Sequence, residues 1–104
     1  MARFDVYPNP EASERRRVPY LVDVQNEFIE GLDTRVVIPL SRLESHGPRL
    51  RDLNPIITVL GHECVLNTPA LGAVPRAGLR KCVTNCRDSQ AVIQGALDAL
   101  FGAS

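Results

Sequence analysis

The sequence has 104 residues, 44% hydrophobic and 23% charged, and its twelve basic and twelve acidic side chains cancel. That length holds one domain, residues 1–104, and the composition excludes a disordered chain. Zero net charge excludes a molecule-wide pull toward nucleic acid or an anionic membrane, so no direct sequence-specific nucleic-acid binding and no membrane role is expected.

Phe4 and Val6 alternate with Arg3, Asp5 and Tyr7, the two-residue period of a first strand with one buried face. Residues 8–17 combine two prolines with a block of charge and read as an exposed loop. Tyr20, Val22 and Val24 then alternate with Leu21, Asp23 and Gln25, a second strand that closes a long-looped hairpin with the first. After a turn over 31–34, the β-branched run 35–38 forms a short third strand, which Pro39 stops from continuing as a central one.

The stretch 41–54 is irregular, 56–60 is an apolar strand ended by a turn at Gly61, and 64–67 is its partner. Pro69, Gly72, Pro75 and Gly78 then leave room for loops and one short strand. From Asp88 or Ser89, either of which can cap a first turn, the pattern becomes helical. Ile93, Leu97 and Leu100 lie beside Ala96 on one apolar stripe, while Gln90, Gln94 and Asp98 share a polar face. Gly102 is a natural stop. Strands first and a helix last predict an α+β domain.

The start of the chain lacks the apolar core of a signal peptide and no apolar run approaches the roughly 18 residues of a membrane span, so a cytoplasmic protein is expected. An odd count of three cysteines in that compartment predicts reduced thiols. His62, Cys64, Cys82 and Cys86 are zinc-ligand types, but His-x-Cys and Cys-x3-Cys lack the usual two-residue knuckle, so no metal and no cofactor is expected. His62-Glu63-Cys64 does not complete the zinc-deaminase signature, and no nucleophile–base pair is evident, so no catalytic residue is assigned. Arg15-Arg16-Arg17 and Arg49-Leu50-Arg51 could hold phosphate, although an arginine run is more often a solvated loop.

Val22-Asp23-Val24-Gln25 followed by Val37-Ile38-Pro39-Leu40 resembles the CcdB toxins in wording and spacing. Residues 3–7 look like that family's opening strand, Gly61 like its turn, Ala73-Val74-Pro75 like its later motif and residues 93–101 like its terminal helix. Each word is weak alone, but together they are collinear over nearly the whole chain.

The resemblance implies a compact antiparallel sheet of the SH3-like barrel type shared by CcdB and MazF toxins, with one C-terminal helix. It implies a plasmid-maintenance function: the toxin of a type II toxin–antitoxin system, a non-enzymatic homodimer that binds DNA gyrase through the enzyme's A protein and traps it on cleaved DNA. Carried over by position, Phe28, Ile29, Asp98 and Phe101 are the gyrase contacts, with Gly102, Ala103 and Ser104 at the inserting end. Family toxins commonly end in Phe-Trp-Gly-Ile, whereas this chain reads Phe101-Gly102-Ala103-Ser104. Loss of an aromatic anchor typically costs about 2–4 kcal/mol of binding. A CcdA-like antitoxin with a disordered, acidic segment would suit Arg15, Arg16 and Arg17. The competing readings are that Phe28, Ile29 and Phe101 fill the core or a dimer interface, and that Gln90, Gln94 and Asp98 form a solvated face. At the level of function they are a toxin of this fold with another target, such as a MazF-like ribonuclease, or a relative that has lost toxicity.

Overall fold

Seven antiparallel strands and a C-terminal helix make up the computed structural model, which describes residues 1–102. The strands are β1 (Asp5–Pro8), β2 (Tyr20–Asp23), β3 (Thr34–Arg42), β4 (Ile56–Val59), β5 (His62–Leu66), β6 (Gly72–Pro75) and β7 (Thr84–Asn85), and the helix is α1 (Gln90–Phe101). They form one curled sheet in the order β4-β5-β3-β2-β1-β7, with β6 added to β3. This half-barrel with one terminal helix is the α+β arrangement expected from the order of segments. Among the described residues no helix is long and apolar enough to cross a membrane.

The third strand departs most from expectation. It runs nine residues through Pro39 and is the central strand, paired with β2 on one side and with both β6 and β5 on the other. Proline is tolerated because of where its missing N–H falls. Val24 N–H donates to the carbonyl of Val36 (3.0 Å), so the even-numbered residues bond toward β2 and Pro39 faces away from it. On that far side the β6 ladder ends at Val37 and the β5 ladder starts at Leu40, and only the Pro39 carbonyl is needed, to accept from Asn67 N–H (2.9 Å).

The first two strands pair as the expected hairpin, Val6 opposite Val22. Both faces of that hairpin are buried, which corrects the one-face reading. Val6, Val22, Ile38, Leu40 and Ile57 meet Ile93, Ala96 and Leu97 of α1 in the main core. Tyr7, Leu21 and Val37 point the other way and are covered by Leu79 and Val74, from the segment that carries β6.

Phe4 also reaches the main core but lies outside β1, because its backbone is left-handed (φ +74°). It links the end of β2 to the residue after β7, donating to Asp23 O (2.6 Å) and accepting from Cys86 N–H (2.9 Å). Such a conformation costs a bulky residue on the order of 1–3 kcal/mol and persists only where its surroundings over-determine it.

The β4–β5 turn is the two-residue type whose central residues both need positive φ, supplied by Leu60 (+51°) and Gly61 (+83°). At α1, neither Asp88 nor Ser89 caps with its side chain. Residues 87–89 instead wind a 3-10 turn in which Ser89 N–H reaches Cys86 O (2.9 Å), so the chain enters the helix already coiled. The end is as expected, Gly102 being left-handed (φ +74°) with its N–H on Asp98 O. Gly95 faces open space where a Cβ would sit, so its propensity cost of about 0.8–1.0 kcal/mol brings no packing return within the chain.

The Val-Asp-Val-Gln word divides between core and a buried polar network. Val22 and Val24 enter the main core, while Asp23, fully buried, takes a two-pronged ion pair from Arg35: Nε to Oδ2 at 2.7 Å and Nη2 to Oδ1 at 2.9 Å. Asp23 Oδ1 also accepts the Gln25 N–H (2.9 Å), and Gln25 Oε1 accepts the Val36 N–H (3.0 Å). Gln25 Nε2 is left buried with no partner among the described residues.

Candidate functional site

Phe28 and Ile29 sit in the loop that leaves β2. Asn26 shapes it, its Oδ1 accepting from Phe28 N–H (2.9 Å) and its carbonyl from Ile29 N–H (3.2 Å). This turn leaves Phe28 84% exposed and Ile29 45% exposed, and Phe101, the last residue of α1, is 67% exposed. None of the three fills the core of this chain, although Ile29 is still more than half covered, and the two rings are left mostly in water.

The polar stripe of α1 is not simply solvated. Gln94 Nε2 donates to Asp98 Oδ1 (3.0 Å), and Gln94 Oε1 accepts from Arg3 Nη2 (3.0 Å). Arg3 Nε donates in turn to Val24 O (2.9 Å), and its guanidinium lies 4.7 Å from the centre of the Phe4 ring. Gln90 lines a shallow groove with Arg3, Phe28 and Arg87. Arg87 reaches Glu27 at 3.4 Å, an exposed pair that holds the loop only weakly.

Phe28 thus lies beside the first residue of α1, while Phe101 is its last, about 16 Å further along the helix. Within one chain they stand at opposite ends of the helix. Gly102 is exposed beside Phe101. The candidate contacts Ala103 and Ser104 lie outside the described residues.

The arginine triplet is exposed but its members do different things. Arg17 pairs with Glu14 (2.6 Å), Arg16 offers its carbonyl to Arg42 Nε (2.7 Å), and Arg15 Nε holds the carbonyl of Asn9. Arg15 lines a cleft with Pro8, Pro10, Arg80 and Lys81. Arg80 and Lys81 were missed in the sequence, where a lone basic pair after Gly78 has no visible neighbour; the fold sets it beside Arg15. Of the second arginine pair, Arg49 Nη1 is spent on Asn54 O (2.9 Å), and Arg51 borders a groove along α1.

Cys64 and Cys86 are buried and Cys82 is exposed. Burial pushes all three thiols up from their ordinary pKa, the opposite of what an activated thiolate nucleophile needs. Among the described residues no three His, Cys, Asp or Glu side chains converge as metal ligands would.

In comparisons with known proteins, the model of a family described as CcdB protein matches residues 3–102. No curated protein matches the sequence.

Proposed function

The chain belongs to the CcdB family, and from that premise we propose that it is the toxin of a type II toxin–antitoxin pair, a cytoplasmic homodimer that binds the A protein of DNA gyrase and poisons the topoisomerase. The observation that carries this reading is a set of large apolar side chains in contact with solvent, Phe28 and Ile29 in the loop after β2 and Phe101 at the end of α1. Aromatic residues on a rigid support are the usual anchors of a protein interface.

Poisoning of this kind needs no chemistry from the toxin. A protein that binds gyrase more tightly when its DNA is cleaved than when it is sealed shifts the enzyme toward the cleaved state by that difference in affinity. With Gly102 where relatives commonly have tryptophan, the anchoring role falls to Phe101 and Phe28. Purified protein titrated into a gyrase supercoiling and DNA-cleavage assay is expected to inhibit supercoiling and accumulate cleaved DNA. Normal supercoiling without cleaved DNA at saturating protein would overturn the reading, and degradation of cellular RNA would replace it with a ribonuclease.

The antitoxin partner is a CcdA-like protein with an acidic segment. Its site includes Arg15, where Arg80 and Lys81 line the same cleft and two prolines supply a rigid apolar floor. Arg15→Glu combined with Arg80→Glu is expected to weaken antitoxin binding about fivefold or more at low ionic strength, with the loss shrinking as salt is added. Equal affinities of variant and parent at low salt would remove this cleft from the antitoxin site.

A further inference from the structure

Arg3 joins three parts of the chain that are far apart in sequence. Its Nε bonds the carbonyl of Val24, the residue from which the Phe28–Ile29 loop departs, at 2.9 Å. Its Nη2 bonds Gln94 Oε1 on α1 at 3.0 Å, and its own carbonyl accepts from Asn85 Nδ2 at the end of β7 at 3.0 Å. The backbone just beyond it, at Phe4, is left-handed and pinned by hydrogen bonds to Asp23 and Cys86. The fold therefore keeps a costly kink at the point that aims the Arg3 side chain across the end of β2 and onto the helix.

Gln94 is used at both ends, accepting from the Arg3 cation through Oε1 and donating to the Asp98 carboxylate through Nε2. A hydrogen-bond chain from cation through amide to anion polarises each member in the same sense and has one low-energy orientation. It occupies Asp98 Oδ1, while Asp98 Oδ2 has no protein partner among the described residues. Among the described residues nothing competes for that oxygen, which can accept from a cationic or N–H donor on another molecule.

We propose that Arg3 is a positioning residue for the target-binding surface: through Gln94 it fixes the Asp98 carboxylate, and through Val24 it fixes the loop carrying Phe28 and Ile29. This rests on the proposed gyrase-binding reading. It adds that the two halves of the surface are held in register by one guanidinium before the target arrives, which lowers the ordering cost of binding.

The test is a double-mutant cycle on binding to the gyrase A protein, using Arg3→Met and Asp98→Ala singly and together, with thermal unfolding of each. Arg3→Met is expected to weaken binding about tenfold, mostly through faster dissociation. In the Asp98→Ala background its effect should fall to about threefold, because only the loop half of its role is left. Asn85→Ala removes the Asn85 side-chain bonds to Arg3 O, Asp5 Oδ1 and Arg87 N–H without touching the guanidinium, and is expected to lower stability while leaving the Arg3–Asp98 coupling intact. Equal Arg3→Met effects in both backgrounds would overturn the proposal.

A readout independent of gyrase is amide hydrogen exchange on the free protein. Arg3→Met should speed exchange at Phe28 and Ile29 several-fold while leaving Ile93 protected, and unchanged exchange in the loop would likewise overturn the proposal. If the unmodified protein does not bind gyrase, the functional reading fails by itself, and the exchange result still decides whether Arg3 holds the loop.

Discussion

Asp23→Ala is expected to remove about 3–5 kcal/mol of folding free energy, the largest single loss available outside the apolar core. Its partner Arg35 is 5% exposed at the side chain and Asp23 not exposed at all, so the deletion leaves a guanidinium buried with neither water nor carboxylate. The Gln25 N–H, which donates to the same carboxylate, is stranded too. Domains of this size are typically stable by about 5–15 kcal/mol, so the loss takes a large share of the total.

Replacing both partners is expected to do much less harm. Asp23→Leu with Arg35→Met removes the two charges together, and a buried pair exchanged for apolar groups of similar volume is often neutral or better. Urea unfolding at one fixed protein concentration checks both, the fixed concentration being needed because the proposed homodimer would couple stability to mass action. A single-variant loss below about 1 kcal/mol would mean that water reaches this pair.

Phe101→Ala and Phe28→Ala should behave in the opposite manner. Both rings are mostly in solvent, so each change is expected to shift stability by no more than about 0.5 kcal/mol. Each should nevertheless cost about 2–4 kcal/mol of gyrase affinity, a roughly 30- to 1000-fold loss. Isothermal titration with the gyrase A protein, read beside the unfolding curves, separates the two quantities. A variant that binds as tightly as its parent would take that ring out of the interface. One that unfolds easily would mean that the ring is buried in the working assembly, as a residue of the dimer interface would be.

What could be read in the sequence was whatever depends on near neighbours. The alternation around Val6 and Val22 places the first hairpin, the spacing of Ile93, Ala96 and Leu97 places the helix, and Gly61 and Gly102 stand where positive φ is needed. The collinear words that resemble CcdB toxins carried the family, because a family is a matter of order along the chain. The candidate contacts Phe28 and Phe101 came by that route as well; their residue types alone left burial and contact equally open, and their solvent exposure excludes burial in the core of this chain.

The remainder was decided by pairings across long stretches of sequence. Pro39 reads as a strand breaker until the neighbouring ladders are known to change partners beside it. Tyr7 and Leu21 read as an outward face until Val74 and Leu79 are seen to cover them. Arg3 and Gln94 stand 91 positions apart, and neither suggests the other. Local backbone preference and hydrophobic period are properties of a few consecutive residues, and so the sequence by itself determined the helix, every strand but the two-residue β7, their order and the family. Burial of the second sheet face, the Asp23–Arg35 pair and the Arg3 bridge arise only when distant segments exclude water together, and the tertiary structure alone decided them.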